Sequence, residues 1–276
     1  MSLLKEKLQD LTVVAFDTET SGQYPLQAQV CEIAAVKWQG GSEIASYQTL
    51  VKPDELMSDF VIGIHNISNE MVADAPKISE VIGEFVRFLE GSIPVAHHAP
   101  FDLGFLAPEI EAEGLPLPQQ PALCSSLLSR KMIKESSNHK LQTLIHALGL
   151  DGGQAHRALD DARACLGVTL ECFRRLGEDA TLDDAIKAQG SVLNWRSYSM
   201  EDLKEKERTA NLIKAIREGR EVSLVYEGGS RPGKPRAVRP IGVVRNPNGD
   251  YLVASEQGKM PPKRYALDKI TSSKLQ

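Results

Sequence analysis

The sequence predicts an α/β domain of roughly 175 residues followed by a small β-rich domain, because short apolar runs come first and helical periods interleave with strands afterwards. Composition agrees: of 276 residues, 42% are apolar and 25% charged, as in ordinary globular proteins. The length suits one or two domains with a proper core. Charge marks the same division. From Asn211 to Gln276 there are 13 Lys+Arg against 6 Asp+Glu, a net of +7, which leaves 19 against 31, a net of −12, before that point.

Residues 12–16 (TVVAF) read as a buried strand running into the polar stretch DTETSG. VCEIAAVKW and EIASYQTLV follow, and Gly40 and Gly41 between them mark the turn of a hairpin. Three strands in succession make a meander that opens a mixed sheet. The period then changes: Ile78, Val81, Ile82, Phe85, Val86 and Leu89 share one helical face, and Gly91 stops it. IPVA is the next strand, leading into HHAPFDLGFL. Further helical patterns cover Leu141 to Leu148, ended by Gly149, and about Arg157 to Leu176, ended by Gly177. Residues 178–210 are charged and poorly periodic and read as a connector, in which Trp195 and Tyr198 imply some packing. Asn211 to Arg217 is helical with Gly219 as its stop, and Val222, Leu224 and Tyr226 alternate as in a strand. VVRNPNGDYLVAS is a hairpin turning at Asn248-Gly249, and KRYALDKI is a last strand.

No apolar run is long enough to span a membrane. The opening MSLLKEKLQD has no apolar segment behind its charges, so no secretory signal is expected and the expected compartment is the cytoplasm. Cys31, Cys124, Cys165 and Cys172 lack CxxC spacing and sit among apolar residues, which fits buried reduced thiols rather than zinc or disulfides.

Asp17 and Glu19 lie two apart at a strand end, so their side chains share a face. Their repulsion is relieved if a cation lies between them, and hard cations such as Mg²⁺ and Mn²⁺ prefer carboxylate oxygens. Asp102 sits at a second junction, and Asp160 and Asp161 open the helix behind His156. Taken singly, each acid is also explained as a loop residue, a helix cap or a first-turn acid. Taken together, acids at three junctions, one of them with a histidine, suit phosphodiester hydrolysis. Two metals about 3.5–4 Å apart activate a water and stabilise the leaving oxygen, and a histidine takes the water's proton. On these grounds alone either Asp160 or Asp161 faces the metal.

FDTETSG, AHHAPFDLGFL and HRALDDARA, in that order and spacing, resemble the three motifs of the DnaQ-like, DEDDh-type 3′→5′ exonucleases across about residues 11–176, and HNISNEMVADAP is similar to the same family. The resemblance implies an RNase H-like mixed sheet flanked by helices, in a domain spanning 1–177. It implies that Asp17, Glu19, Asp102 and Asp161 hold two divalent ions, Mg²⁺ or Mn²⁺, with His156 as general base. The family's spacing from His to Asp chooses Asp161 over Asp160. It also implies that Thr20, His65 and Phe101 touch the 3′-terminal nucleotide, core packing being the other reading of His65 and Phe101. His98 stands beside the substrate where the family usually has Asn, and Cys124 stands where many relatives have Asp. The expected partner is a nucleic-acid 3′ end, single-stranded DNA before RNA, in repair. RNA 3′-end trimming and a nucleic-acid-sensing regulator built on the nuclease fold are the alternatives.

AIREGREVSLVY, RAVRPIGVV, DYLVA and KRYALDKI resemble a WYL domain, a small SH3-like β-barrel module, over the basic stretch 211–276. Asp250 replaces its namesake Trp, and Ala266 stands where the last strand often has Arg. The resemblance implies binding of nucleic acid or a regulatory ligand. Arg231, Arg236, Arg239, Arg245, Lys263 and Arg264 are the candidate basic face. Tyr226, Tyr251 and Tyr265 are either stacking platforms for bases or core.

Overall fold

The computed structural model describes residues 3–256 and 261–276. They form two compact units: Met1–Ser21 with Val30–Trp195, and Gly22–Gln29 with Arg196–Gln276.

The first unit runs β1 (Val13–Thr20), β2 (Val30–Gln39), β3 (Ser42–Leu50), α1 (Asp59–His65), α2 (Ile78–Leu89), β4 (Ile93–Ala96), α3 (Pro100–Ala112), β5 (Leu123–Cys124), α4 (Ser125–Met132), α5 (Leu141–Leu148), α6 (Ala158–Leu176) and α7 (Leu182–Gln189). Its sheet has the order β3-β2-β1-β4-β5. The first three strands are the expected antiparallel meander, and β4 and β5 run parallel to β1. Gly40 and Gly41 turn the β2–β3 hairpin with φ of 59° and 88°, which two residues with side chains would adopt only under strain. The inner strands are apolar without alternation because both faces are covered. On one face Ala162, Cys165, Val168 and Cys172 of α6 meet Val13, Ala15 and Val95. On the other, Phe16 packs edge-on against Phe85 at 5.6 Å and stacks on Trp195 at 6.0 Å. All four cysteines are buried free thiols.

Two departures from expectation have physical causes. HHAPFDLGFL runs into α3, which lacks an amphipathic period because seven of its first eight residues are buried; a helix covered all round has no polar face. The stretch 178–210 is divided rather than a free connector: Leu182, Ala185 and Ile186 of α7 enter the first unit's core, and residues from Arg196 onward belong to the second unit.

The second unit contains α8 (Glu201–Lys204), α9 (Glu207–Glu218), β6 (Val222–Tyr226), β7 (Pro235–Val244), β8 (Tyr251–Glu256), β9 (Lys263–Ala266) and β10 (Ile270–Leu275). Its strands form an antiparallel sheet in the order β10-β6-β7-β8-β9. Leu212, Ile213 and Ile216 of α9 pack on Val222, Leu224, Val238 and Leu252. The separate piece Gly22–Gln29 joins this core through Leu26, and a Cβ at Gly242 would collide with Tyr24. Two residues of the candidate basic face lie inside: Arg245 bonds Asp202 and Asp250, and Arg236 lies over the rings of Tyr226 and Tyr265. Tyr265 is buried and donates to Glu256 at 2.9 Å, so it packs and anchors; Tyr251 is half-buried with Arg264 over its ring. Among the described residues no helix is long and apolar enough to cross a membrane.

Candidate active site

The polar end of β1 supplies Asp17 and Glu19, both half-buried, while the first turns of α3 and α6 supply the buried Asp102 and Asp161. Each is fixed by local geometry. Thr18 donates to Asp102 Oδ1 twice, from its backbone N–H at 3.1 Å and from its hydroxyl at 2.8 Å. Asp161 accepts the backbone N–H of His156 at 3.0 Å and the Gln142 amide at 3.4 Å. Its neighbour Asp160 turns to the preceding loop and accepts the Gln154 N–H at 2.8 Å. That loop depends on Gly153, whose φ is +52° and where any Cβ would collide with the Asp160 carboxyl.

The acids act on one another. Burial, then the charges of Asp102, Glu19 and Asp161, hold the Asp17 carboxyl well above the usual carboxylate range. Glu19 is pushed up to about 8 by burial and then by Asp161, Glu32 and Asp102. Asp102 reaches about 7 through burial, against the pull of its Thr18 bonds, and burial raises Asp161 as well. Ligand atoms of Glu19, His156 and Asp161 lie within 4.8 Å of one another. Carboxylates that raise each other's pKa cannot all ionise without a counter-charge. An all-oxygen set with one imidazole at its edge is the donor chemistry of a hard divalent cation. Glu19, His156 and Asp161 therefore fit a metal ion, with Asp17 and Asp102 close enough for their charges to raise these or each other.

His156 is exposed and takes a left-handed backbone with φ of 59°, while His98 does so with φ of 67°. Non-glycine residues in that region store strain, which collects where a side chain must be aimed. Thr20 is buried at the end of β1. His65 is only 1% exposed; its Nδ1 accepts the Ile67 N–H at 3.0 Å and its Nε2 faces Cys31 Sγ at 3.7 Å, so its ring is part of the wall under the site. Burial lowers its pKa. Phe101 is half-buried against Phe105 at 5.0 Å.

The sequence reading missed Glu32. It lies opposite Glu19 across the sheet and is fully buried. Its carboxylate takes the Arg157 guanidinium at 3.0 Å, the Ala158 N–H at 3.1 Å and the Gln48 amide at 2.8 Å. It thus caps α6 from the sheet and pins the residue next to His156. The signal was available: a lone acid inside the apolar run VCEIAAV needs a buried partner.

A family model for exonucleases of the RNase T type matches residues 14–169, and a WYL domain model matches 207–275. The DNA polymerase III PolC-type protein of Thermotoga maritima is 40% identical over 170 residues, 61% of this chain and 12% of that one. That of Oceanobacillus iheyensis is 33% identical over 167 residues, 60% of this chain and 12% of that one. The chain thus spans 12% of the length of these relatives. Exonuclease X, solved in complex with 5′ overhanging duplex DNA, superposes with a TM-score of 0.52 at 27% identity, over 64% of this chain and 99% of that one. The nuclease domain of 3′hExo, a DEDDh family member bound to rAMP, shares the fold with a TM-score of 0.54 at 17% identity, over 61% and 94% of the two chains. With more than half its length inside the matched model, the chain belongs to the exonuclease family and carries a WYL domain behind the nuclease.

Proposed function

We propose that this protein removes nucleotides one at a time from the 3′ ends of single-stranded DNA, releasing 5′-mononucleotides during repair of DNA ends. The observation that carries this reading is the crowding of Asp17, Glu19, Asp102 and Asp161, whose carboxyls are raised by burial and, for Asp17 and Glu19, by the charges of neighbouring acids as well. In this reading these four hold two Mg²⁺ or Mn²⁺ ions, which when bound make a water nucleophilic and stabilise the leaving oxygen. Thr18 fixes the orientation of Asp102. His156, at the exposed rim, takes the proton of the attacking water. Glu32 and Arg157 hold the turn that aims His156. Thr20, His98 and Phe101 border the terminal nucleotide. DNA is favoured over RNA because the Thermotoga maritima and Oceanobacillus iheyensis relatives are DNA polymerase III PolC-type proteins and exonuclease X was solved with DNA. The exposed Arg231, Arg239, Lys263 and Arg264 of the second unit support a role for it in meeting nucleic acid or a regulatory ligand.

Digestion of 3′-labelled and 5′-labelled oligonucleotides, as DNA and as RNA, tests this. A ladder shrinking from the 3′ end is expected with Mg²⁺ or Mn²⁺, absent with chelator, and lost in Asp17→Ala. Faster cleavage of RNA overturns the substrate, and activity unchanged in Asp17→Ala overturns the site.

A further inference from the structure

Beside the carboxylates lies a cavity of about 630 Å³ whose charged and titratable lining is basic throughout: His97, His98, Arg130, His139 and Lys140, with no Asp or Glu. This is unexpected in the acidic part of the chain. Arg157 at the start of α6 and Arg163, Arg174 and Arg175 within it each meet a carboxylate. Among the described residues, neither Arg130 nor Lys140 does. The walls are braced. His97 bonds the Ser125 hydroxyl through Nδ1 at 2.7 Å and the His139 carbonyl through Nε2 at 3.1 Å, and His139 Nδ1 meets the Ser129 hydroxyl at 3.1 Å. Asn138 accepts the Lys140 N–H at 3.0 Å, which sets the loop that enters α5. Burial lowers the pKa of His98 and of His139, and the charge of Arg130 lowers both further.

The cavity touches the carboxylate site at two places. The His98 carbonyl accepts the Phe101 N–H at 2.9 Å and so closes the first turn of α3, which carries Asp102. Leu141 lines the cavity, and its neighbour Gln142 bonds Asp161. Two short segments, 98–102 and 140–142, thus join this basic lining to the acids, and among the described residues no carboxylate neutralises Arg130 or Lys140.

We propose that this cavity is the upstream backbone subsite, in which Arg130 and Lys140 hold phosphodiesters on the 5′ side of the scissile bond. The proposal rests on the exonuclease reading of the neighbouring acids. It assigns these two residues to strand grip, separate from the chemistry.

The test uses the full-length protein and its Arg130→Gln/Lys140→Gln variant on two substrates. One is the p-nitrophenyl ester of thymidine 5′-monophosphate, too short to enter the cavity, and the other is a short thymidine oligonucleotide. The ester should be cleaved alike by both proteins, which also shows that the variant is folded. For the oligonucleotide, KM should rise about tenfold with kcat within about twofold. The slope of log KM against log salt should become shallower by about 1.4, since each phosphate of a single strand that a side chain neutralises adds roughly 0.7. An oligonucleotide KM within about twofold of the wild type, with the same salt slope, overturns the proposal. If the wild type cleaves neither substrate, the exonuclease reading fails separately. Fluorescence anisotropy of the labelled oligonucleotide then decides the subsite: about tenfold weaker binding by the variant supports it, and equal binding overturns it.

Discussion

Asp17 gains little from its surroundings until a cation arrives. Its carboxyl is raised by burial and by the charges of other acids, and Glu19 is raised to about 8. A carboxyl whose pKa rises on folding stabilises the fold while protonated, and that contribution is lost as pH climbs through the raised value. The metal-free protein should therefore lose melting temperature between about pH 4.3, the ordinary glutamate value, and about 8. Asp17→Asn should melt several degrees higher than wild type in chelator at pH 8, since ~1 kcal/mol corresponds to roughly 2–4 °C at this size. It should also lose both activity and most of the stabilisation by Mg²⁺. Thermal scans with and without chelator check this, and a variant no more stable than wild type without metal would show the crowding to be harmless. At this scale the catalytic candidates were legible, because acids at strand ends and helix starts stand out from apolar flanks. Glu32 stands out as a lone acid in an apolar run, but its partner Arg157 lies 125 residues away and nothing in the local pattern joins them.

Helix α6 carries Asp161 and begins just after His156, yet its N-cap residue, Arg157, makes no side-chain cap. The buried Ala158 N–H at its first turn is met instead by Glu32 from β2. The element that aims the proposed base is therefore fastened by a residue outside it. Glu32→Ala leaves the buried Ala158 N–H and a partly exposed guanidinium without their partner and should cost about 1–3 kcal/mol, as an unmet buried donor does. It should lower kcat more than KM, because His156 and Asp161 shift together. Glu32→Gln keeps one acceptor and should recover part of both losses, as melting curves and steady-state kinetics will read. Among the elements, α2, α5, α6 and the β2–β3 hairpin could be read from periods and glycine stops. The buried helix α3 has no polar face to announce it, and α7 hides its apolar residues in a charged stretch.

The whole molecule is two folds in one chain, and the charge division foresaw that much. It did not foresee that the second fold borrows Gly22–Gln29 from the loop just behind Glu19 and Thr20. Leu26 holds a left-handed φ of 74° to reach that core. In the full chain, Leu26→Ser should lower the melting temperature of the second unit by a few degrees, as removing roughly 1–2 kcal/mol of apolar burial does. In a chain cut after Trp195 the same substitution should improve solubility, because Leu26 there has no core to enter; gel filtration distinguishes the two. The WYL match covers 207–275 alone, so Gly22–Gln29 is an addition to that module made by the nuclease part of the chain. A recombination event that carried the coding region from Arg196 onward to another gene would leave eight residues of the fold behind. A nuclease that received it without such a piece between its first two strands would present the module with the face that Leu26 covers here left open.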